Sequence, residues 1–504
     1  MRFPAKSSLT TFIVALSLFS DCCLSVDNGL SRTPALGWNN WNSLGCDVSA
    51  DLLLSTARKL VTLGLRDVGY QYTVLDDCWS AGRDAQGRLK VDLSRFPEGM
   101  RAVATQIHEY GLLFGMYSSA GHLTCARGAG SLDHEEIDAQ TFADYGIDYL
   151  KYDNCYSRGQ AGSAQSTFKR YERMANALNA TGRPILYSLC NWGEDFVMSW
   201  GVSIANSWRI SGDIYDSFAR PDDRCSCTAN DPSSPWCVSP GAHCSVLSIL
   251  NKVAPYADRS QPGGWQDLDA LEVGIGGMTD EEYMAHFALW AALKSPLLIG
   301  ADLRTLSAKA LSILNNPAIL AINQDPLGVP ATRVARNASS ILPKDRYGEG
   351  ETQIWSGPLA GGDQILILLN AADADLAMTA YLEDIFVGDG PSCSAPQCQQ
   401  DWIVNDLWSG RMSEPVSETL VRESTSHSDA ARILKSVNWY NATEITYKEG
   451  LERGDERLLG SKIGEIEARS AWTVNVQRHS ALVYRLRPKS GVTGKRYAMF
   501  KDEL

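Results

Sequence analysis

Histidine is scarce: seven among 504 residues, none in an HExxH-type spacing. That argues against the usual zinc hydrolases. Positive charge is also short. Lys and Arg number 46 against 59 Asp and Glu, a formal net charge of −13. So acidic a chain is a poor partner for nucleic acid or an anionic membrane. There is no low-complexity segment, and no apolar run beyond the N-terminal region is a transmembrane candidate. Nothing in the sequence calls for a metal or other cofactor. What remains is ordinary globular composition, 44% hydrophobic, at a length that suits two or three domains.

Arg2 and Lys6 precede an apolar stretch from Leu9 to Phe19. Cys23 and Ser25 are small residues just ahead of a cut before Val26, so residues 1–25 read as a signal peptide. The stretch falls short of the ~20 residues of a membrane span, so cleavage without membrane insertion is expected. Cleavage removes two of the thirteen cysteines and leaves an odd number, which predicts several disulfides and one free thiol. Cys225, Cys227, Cys237 and Cys244 crowd one loop. Cys225–Cys244 nested over Cys227–Cys237 is one pairing, and spacing alone leaves others open. Zinc is the weaker reading of this loop, because CxC lacks the CxxC knuckle spacing. Cys393 and Cys398 are expected to close a small loop. Asn179, Asn337 and Asn441 open glycosylation sequons. The final KDEL reads as a retrieval address. It predicts a secreted protein, or one retained in the lumen of the endoplasmic reticulum with the retrieval receptor as partner.

From residue 34 to about 303, short apolar runs alternate with amphipathic helical patterns. Candidate strands cover 34–41, 72–79, 112–119, 147–154, 184–190, 207–214, 265–273 and 295–303. Eight such units predict a closed (β/α)8 TIM barrel, with a domain over 26–326. Alternating strands and turns then predict an antiparallel β-sandwich over 327–488, with 384–460 as its elaboration and 489–504 as a tail.

Most barrel strands turn polar at their ends, the face where such barrels build sites. Trp41, Asp76, Asp77, Tyr117, Lys151, Asp153, Cys190, Arg209, Asp213 and Asp269 all fall late in their strands. In DYLKYDNCY, period two puts Tyr149, Lys151 and Asp153 on one face and Leu150, Tyr152 and Asn154 on the other. For one aspartate a structural role is the commoner case. For this many carboxylates with a lysine and an arginine it is a poor account. Carboxylates and aromatics without histidine suit glycoside hydrolysis, which needs two carboxyl groups across an oxocarbenium-like transition state. Asp153 beside Lys151 is expected to stay ionised, as a nucleophile must. Asp213, flanked by Ile210, Gly212 and Ile214, is expected in a less polar setting that suits an acid/base. Asp76 and Asp77 offer grips for sugar hydroxyls, Arg209 a further contact, and Trp41 and Trp192 flat apolar faces.

The blocks GWNNWNS, LDDCW, GMYSSAG, LKYDNCY, SLCNWGED, SWRISGDI and GGWQDLDALEVGIGGMT occur in order from residue 33 to about 330. Together they resemble glycoside hydrolase family 27, specifically the fungal α-galactosidases. The resemblance implies a retaining mechanism, with Asp153 as nucleophile and Asp213 as acid/base, acting on galactose-containing oligosaccharides. It implies galactose binding by Trp41, Asp76, Asp77, Tyr117, Lys151, Arg209 and Asp269, with Cys190, Asn191 and Trp192 beside the sugar. It also implies disulfides Cys46–Cys78 and Cys125–Cys155, which leave Cys190 as the free thiol. α-N-acetylgalactosaminidase is the rival within the family; it needs small residues near the sugar 2-position, where Asn191 and Glu194 stand. A related β-L-arabinopyranosidase activity would replace one aspartate of the Asp76–Asp77 pair with an apolar residue. Gln266, Ala270 and Ile275 depart from the family pattern, and Ala270 is expected to leave room beside Asp269. An inactive, glycan-binding protein of the endoplasmic reticulum is the reading from another class, but it should lack Asp153 or Asp213. A luminal glycan-trimming enzyme would share the chemistry on another substrate.

Overall fold

The computed structural model describes residues 28–221, 243–386, 395–422 and 425–489. The signal peptide, Cys225, Cys227, Cys237, Cys393 and the KDEL tail lie outside them. Strand and helix alternate through the first part: β1 (Leu36–Asn39), α1 (Ala50–Thr62), β2 (Tyr72–Val74), α2 (Met100–Glu109), β3 (Leu113–Ser119), α3 (Glu135–Tyr145), β4 (Tyr149–Asp153), α4 (Ala164–Ala180) and β5 (Leu186–Cys190). The series continues with α5 (Val197–Trp200), β6 (Ser207–Arg209), α6 (Val246–Val253), β7 (Trp265–Asp267), α7 (Asp280–Ala292), β8 (Leu297–Ile299) and α8 (Ala308–Leu314). The strands are parallel and pair in the order β7-β6-β5-β4-β3-β2-β1-β8. A parallel bridge between Leu271 and Ile299 of β8 closes the ring.

Strand β4 shows how the pattern becomes a site. Leu150 and Tyr152 point outward into the core shared with the helices. Tyr149 points inward, in a small plug with Ala35, Val74, Leu186 and Leu298 that fills one end of the barrel. Two and four residues on, the same inward face carries Lys151 and Asp153. The barrel is apolar at its base and polar at its mouth because each strand changes character along its length.

The second part comprises β9 (Thr332–Asn337), β10 (Thr352–Pro358), β11 (Gln364–Asn370), β12 (Leu376–Tyr381), β13 (Trp402–Asp406), β14 (Ser461–Ile466), β15 (Ala471–Val476) and β16 (Ser480–Pro488). One antiparallel sheet runs β9-β10-β11-β16-β13-β14, and β12 pairs with β15. β11 is buried along its whole length. Ile365, Ile367 and Leu369 face the barrel core, while Leu366 and Leu368 face the core between the two sheets. Each such side chain stabilises the docked arrangement by roughly 1.5–3 kcal/mol. Helix α7 also serves both domains, packing on α8 and on β16. It is buried almost all round, and the amphipathic pattern expected of it is absent for that reason.

Two expectations need correction. Strands β9, β12 and β14 escape the sequence reading, since their side chains are largely half-buried or exposed and carry no clean alternation. The elaboration within 384–460 is largely helical and leans on the barrel rather than on the sandwich alone. Leu434 meets Gly64 beside α1, and the Tyr447 hydroxyl donates to the Val68 carbonyl at 2.9 Å.

Candidate active site

A cavity of about 650 Å³ opens at the C-terminal ends of the strands. Trp41, Asp76, Tyr117, Lys151, Asp153, Trp192 and Asp213 line it, together with Asn154, Tyr156, Ser157, Ala161 and Glu194. Next to it, with Lys151 as a shared wall, lies a recess of about 20 Å³, lined by Asn39, Cys190, Arg209, Asp267, Asp269 and Ala270 among others. That is room for about one water. Ala270 does leave space beside Asp269, but little. Gln266 is buried away from both spaces, its amide donating to the Tyr256 carbonyl at 2.5 Å, and Ile275 packs on the core.

Asp153 is the most enclosed acid of the floor, 5% exposed. Its Oδ2 accepts from the Tyr117 hydroxyl and its Oδ1 from the Asn154 N–H, both at 2.9 Å. Lys151 does not bond it. The ammonium donates to Asp76 Oδ2 at 2.8 Å, where Asn39 Nδ2 also donates. Burial therefore dominates at Asp153 and pushes its carboxyl up to about 7; Lys151 opposes the shift and the charge of Asp213 adds to it. The expectation that Lys151 would hold Asp153 below the carboxylate range fails for this empty cavity. Lys151→Met should raise Asp153 further. If Asp153 works ionised, the acid limb of kcat/KM moves to higher pH, with activity on the acidic side falling at least ~10-fold. A pH–rate profile checks this, and an unmoved limb would show that Lys151 does not act on Asp153.

Asp213 is in a more polar setting than the sequence suggested. Arg209 Nη2 pairs with its Oδ1 at 3.0 Å, and its side chain is 32% exposed. The same nitrogen pairs with Asp269 Oδ2 at 2.6 Å, so two carboxylates share one cation. Asp269 Oδ2 also accepts from the Ile214 N–H at 2.8 Å, which fixes the segment carrying Asp213. Two residues beyond Ile214, Asp216 accepts from the Tyr283 hydroxyl of α7 at 2.9 Å and from the Gly277 N–H. Burial raises the Asp267 carboxyl to about 6 against the pull of Arg209.

Asp77 and Asn191 line neither space. Asp77 turns both oxygens to backbone, accepting from the Cys78 N–H at 2.7 Å and from the Ala126 N–H at 2.8 Å. Asn191 is fully buried and donates to the Glu194 carbonyl at 2.9 Å. Cys190 is a buried free thiol, with Arg209 Nη1 3.7 Å from its sulfur. Cys46–Cys78 and Cys125–Cys155 are disulfides, and Cys244 and Cys398 are disulfide-bonded as well. Cys125, Asp153 and Cys155 come within metal-ligand reach of one another, but both sulfurs are consumed by the disulfide.

Several lining residues were missed. Asn154 was assigned to the outer face, yet it turns at the strand end to donate to Glu194 Oε2 at 2.7 Å. Its own Oδ1 accepts from the buried Arg170 of α4 at 2.5 Å. Arg170 also donates to the carbonyls of Ala120 and Gln160 at 2.9 Å, tying the loop after β4 to its surroundings. Burial pushes the Glu194 carboxyl up to about 7, with Asp195 adding to it. No local pattern announces Arg170, since it reads as one charge among many on a helix. Gly121 shows how tight this corner is. A Cβ there would sit 1.7 Å from the Cys155 carbonyl oxygen. Gly121→Ala should destabilise the protein by about 3 kcal/mol through forced displacement of the Cys155 backbone, read as a lower denaturation midpoint. An unchanged midpoint would mean the loop yields freely.

A (β/α)8 barrel with paired carboxylates, a lysine and an arginine at its strand ends defines a glycoside hydrolase. Residues 33–234 and 241–325 match the family model described as alpha galactosidase A, and 349–433 match its C-terminal beta sandwich domain. An α-galactosidase of Zygotorulaspora mrakii is 51% identical over 91% of this chain and 95% of that protein. One of Lachancea cidri is 49% identical over 92% of this chain and 95% of that protein. A solved α-galactosidase of Saccharomyces cerevisiae superposes with a TM-score of 0.86 at 48% identity, covering 92% of this chain and 99% of that one. The same enzyme has been solved with raffinose. The chain belongs to the α-galactosidase A family.

Proposed function

We propose that the chain is a retaining α-galactosidase that releases terminal α-linked galactose from oligosaccharides of the raffinose kind. One observation carries the residue roles: Asp153 and Asp213 face one cavity from opposite kinds of setting. Asp153 is enclosed, with both oxygens held by donors that fix its aim. Asp213 is partly open to solvent, as a group that exchanges protons with water must be. Asp153 attacks the anomeric carbon while Asp213 protonates the leaving oxygen. Water activated by Asp213 then releases galactose with its configuration retained. Trp41 and Trp192 bracket the sugar, and Asp76 with Lys151 takes its hydroxyls. The test is hydrolysis of p-nitrophenyl α-galactoside against the α-N-acetylgalactosaminide. Cleavage of the galactoside alone supports the reading; a folded enzyme inert to it would end it.

Passage through the secretory pathway belongs to the same reading, with glycans at Asn179, Asn337 and Asn441. Asn179 and Asn337 are exposed, while Asn441 is half-buried and donates to Glu194's counterpart on its own turn, Glu444, at 3.1 Å. A loss of apparent mass on endoglycosidase treatment is the expected result.

A further inference from the structure

The charged floor accounts for only part of the cavity. A volume of 650 Å³ lies within the ~300–1,000 Å³ range that encloses drug-sized ligands, well beyond the needs of one monosaccharide. The remainder is walled by the loop after β4, where Tyr156, Ser157 and Ala161 line the space. Tyr156 is 40% exposed, an aromatic ring left open at the rim. Its backbone is left-handed, at φ +55°, a conformation that costs a non-glycine residue of order 1–3 kcal/mol and persists only when its surroundings impose it.

The surroundings do impose it. The neighbouring Cys155 is bonded to Cys125. The Tyr156 carbonyl accepts from the His122 N–H at 3.2 Å and lies 2.8 Å from His122 Nδ1. Arg127 Nε donates to the phenol oxygen at 3.2 Å. The His122 ring stands edge-on to the phenol ring at 5.8 Å. An exposed aromatic fixed at both backbone and hydroxyl, on the rim of a catalytic cavity, is a preorganised platform. A hexose matches it, since one C–H face packs on a ring while the hydroxyls remain wet.

We propose that Tyr156 is the platform of a leaving-group subsite, which binds the sugar next to the galactose being released. The inference rests on the α-galactosidase reading and adds the specificity of the same cavity. It makes Tyr156 a determinant of which galactosides are cleaved well.

The experiment compares kcat/KM for raffinose and for α-galactosyl fluoride, whose leaving group has no sugar. In Tyr156→Ala the ratio of raffinose to fluoride should fall about tenfold, chiefly through KM for raffinose. Tyr156→Phe keeps the ring and should keep the wild-type ratio. Both substrates are measured on one sample, so any loss of folded enzyme cancels. A ratio unchanged in Tyr156→Ala, or lost equally in Tyr156→Phe, overturns the subsite. A wild type inert toward both substrates overturns the activity itself, and the subsite with it.

Discussion

The Asp153→Asn enzyme is expected to fold normally and to lose about 10⁴-fold or more of kcat/KM on every galactoside. The substitution keeps the size of the side chain and the acceptor for the Tyr117 hydroxyl, so the floor should stay packed. It removes the oxygen that would form the bond to the anomeric carbon. Circular dichroism and the denaturation midpoint should match wild type, since Asp153 pairs with no cation directly. A smaller variant, Asp153→Gly, opens space for azide. With an activated galactoside it should yield β-galactosyl azide, the inverted product of direct attack. Formation of the α-azide instead, or turnover of Asp153→Asn near wild type, would remove Asp153 from the nucleophile's role.

Asp213→Asn should behave differently, and the contrast is the stronger evidence. An acid/base matters in proportion to how much help the leaving group needs. Raffinose has a poor leaving group and should lose about 10²–10⁴-fold. α-Galactosyl fluoride needs little protonation, so formation of the glycosyl-enzyme should be nearly spared. Its breakdown by water still needs a base, so the covalent intermediate should accumulate and added azide should speed turnover. Arg209 would keep Asp269 as a partner in this variant, which protects the fold. Equal losses on raffinose and fluoride would sink the assignment.

Much of the barrel was legible because its strands are short and apolar between strongly periodic helices. The alternation in β4 was enough to put Tyr149, Lys151 and Asp153 inside, and they are inside. β11 was legible as a strand, though not as the seam between domains. Its unbroken apolar run looks the same whether one face or both are covered, and only docking gives Ile365 and Leu366 different neighbours. The polar edge strands β9 and β14 were not legible, because half-exposed side chains place little constraint on residue type.

By itself the sequence determined the chemical inventory: carboxylates, a lysine and an arginine at the ends of parallel strands, without histidine clusters. It determined the order of those ends, and so their convergence, because a closed parallel barrel has one C-terminal face. Tertiary structure alone decided how the charges are shared. Lys151 is near Asp153 in the chain but bonds Asp76, from a strand two places away in the ring. Burial, which no local spacing records, then outweighs the lysine at Asp153. Asp77 turns to backbone and Asn154 turns to Glu194 for the same kind of reason. Hydrogen-bond partners and desolvation are set by residues far apart in the chain, and they exist only once the ring has closed.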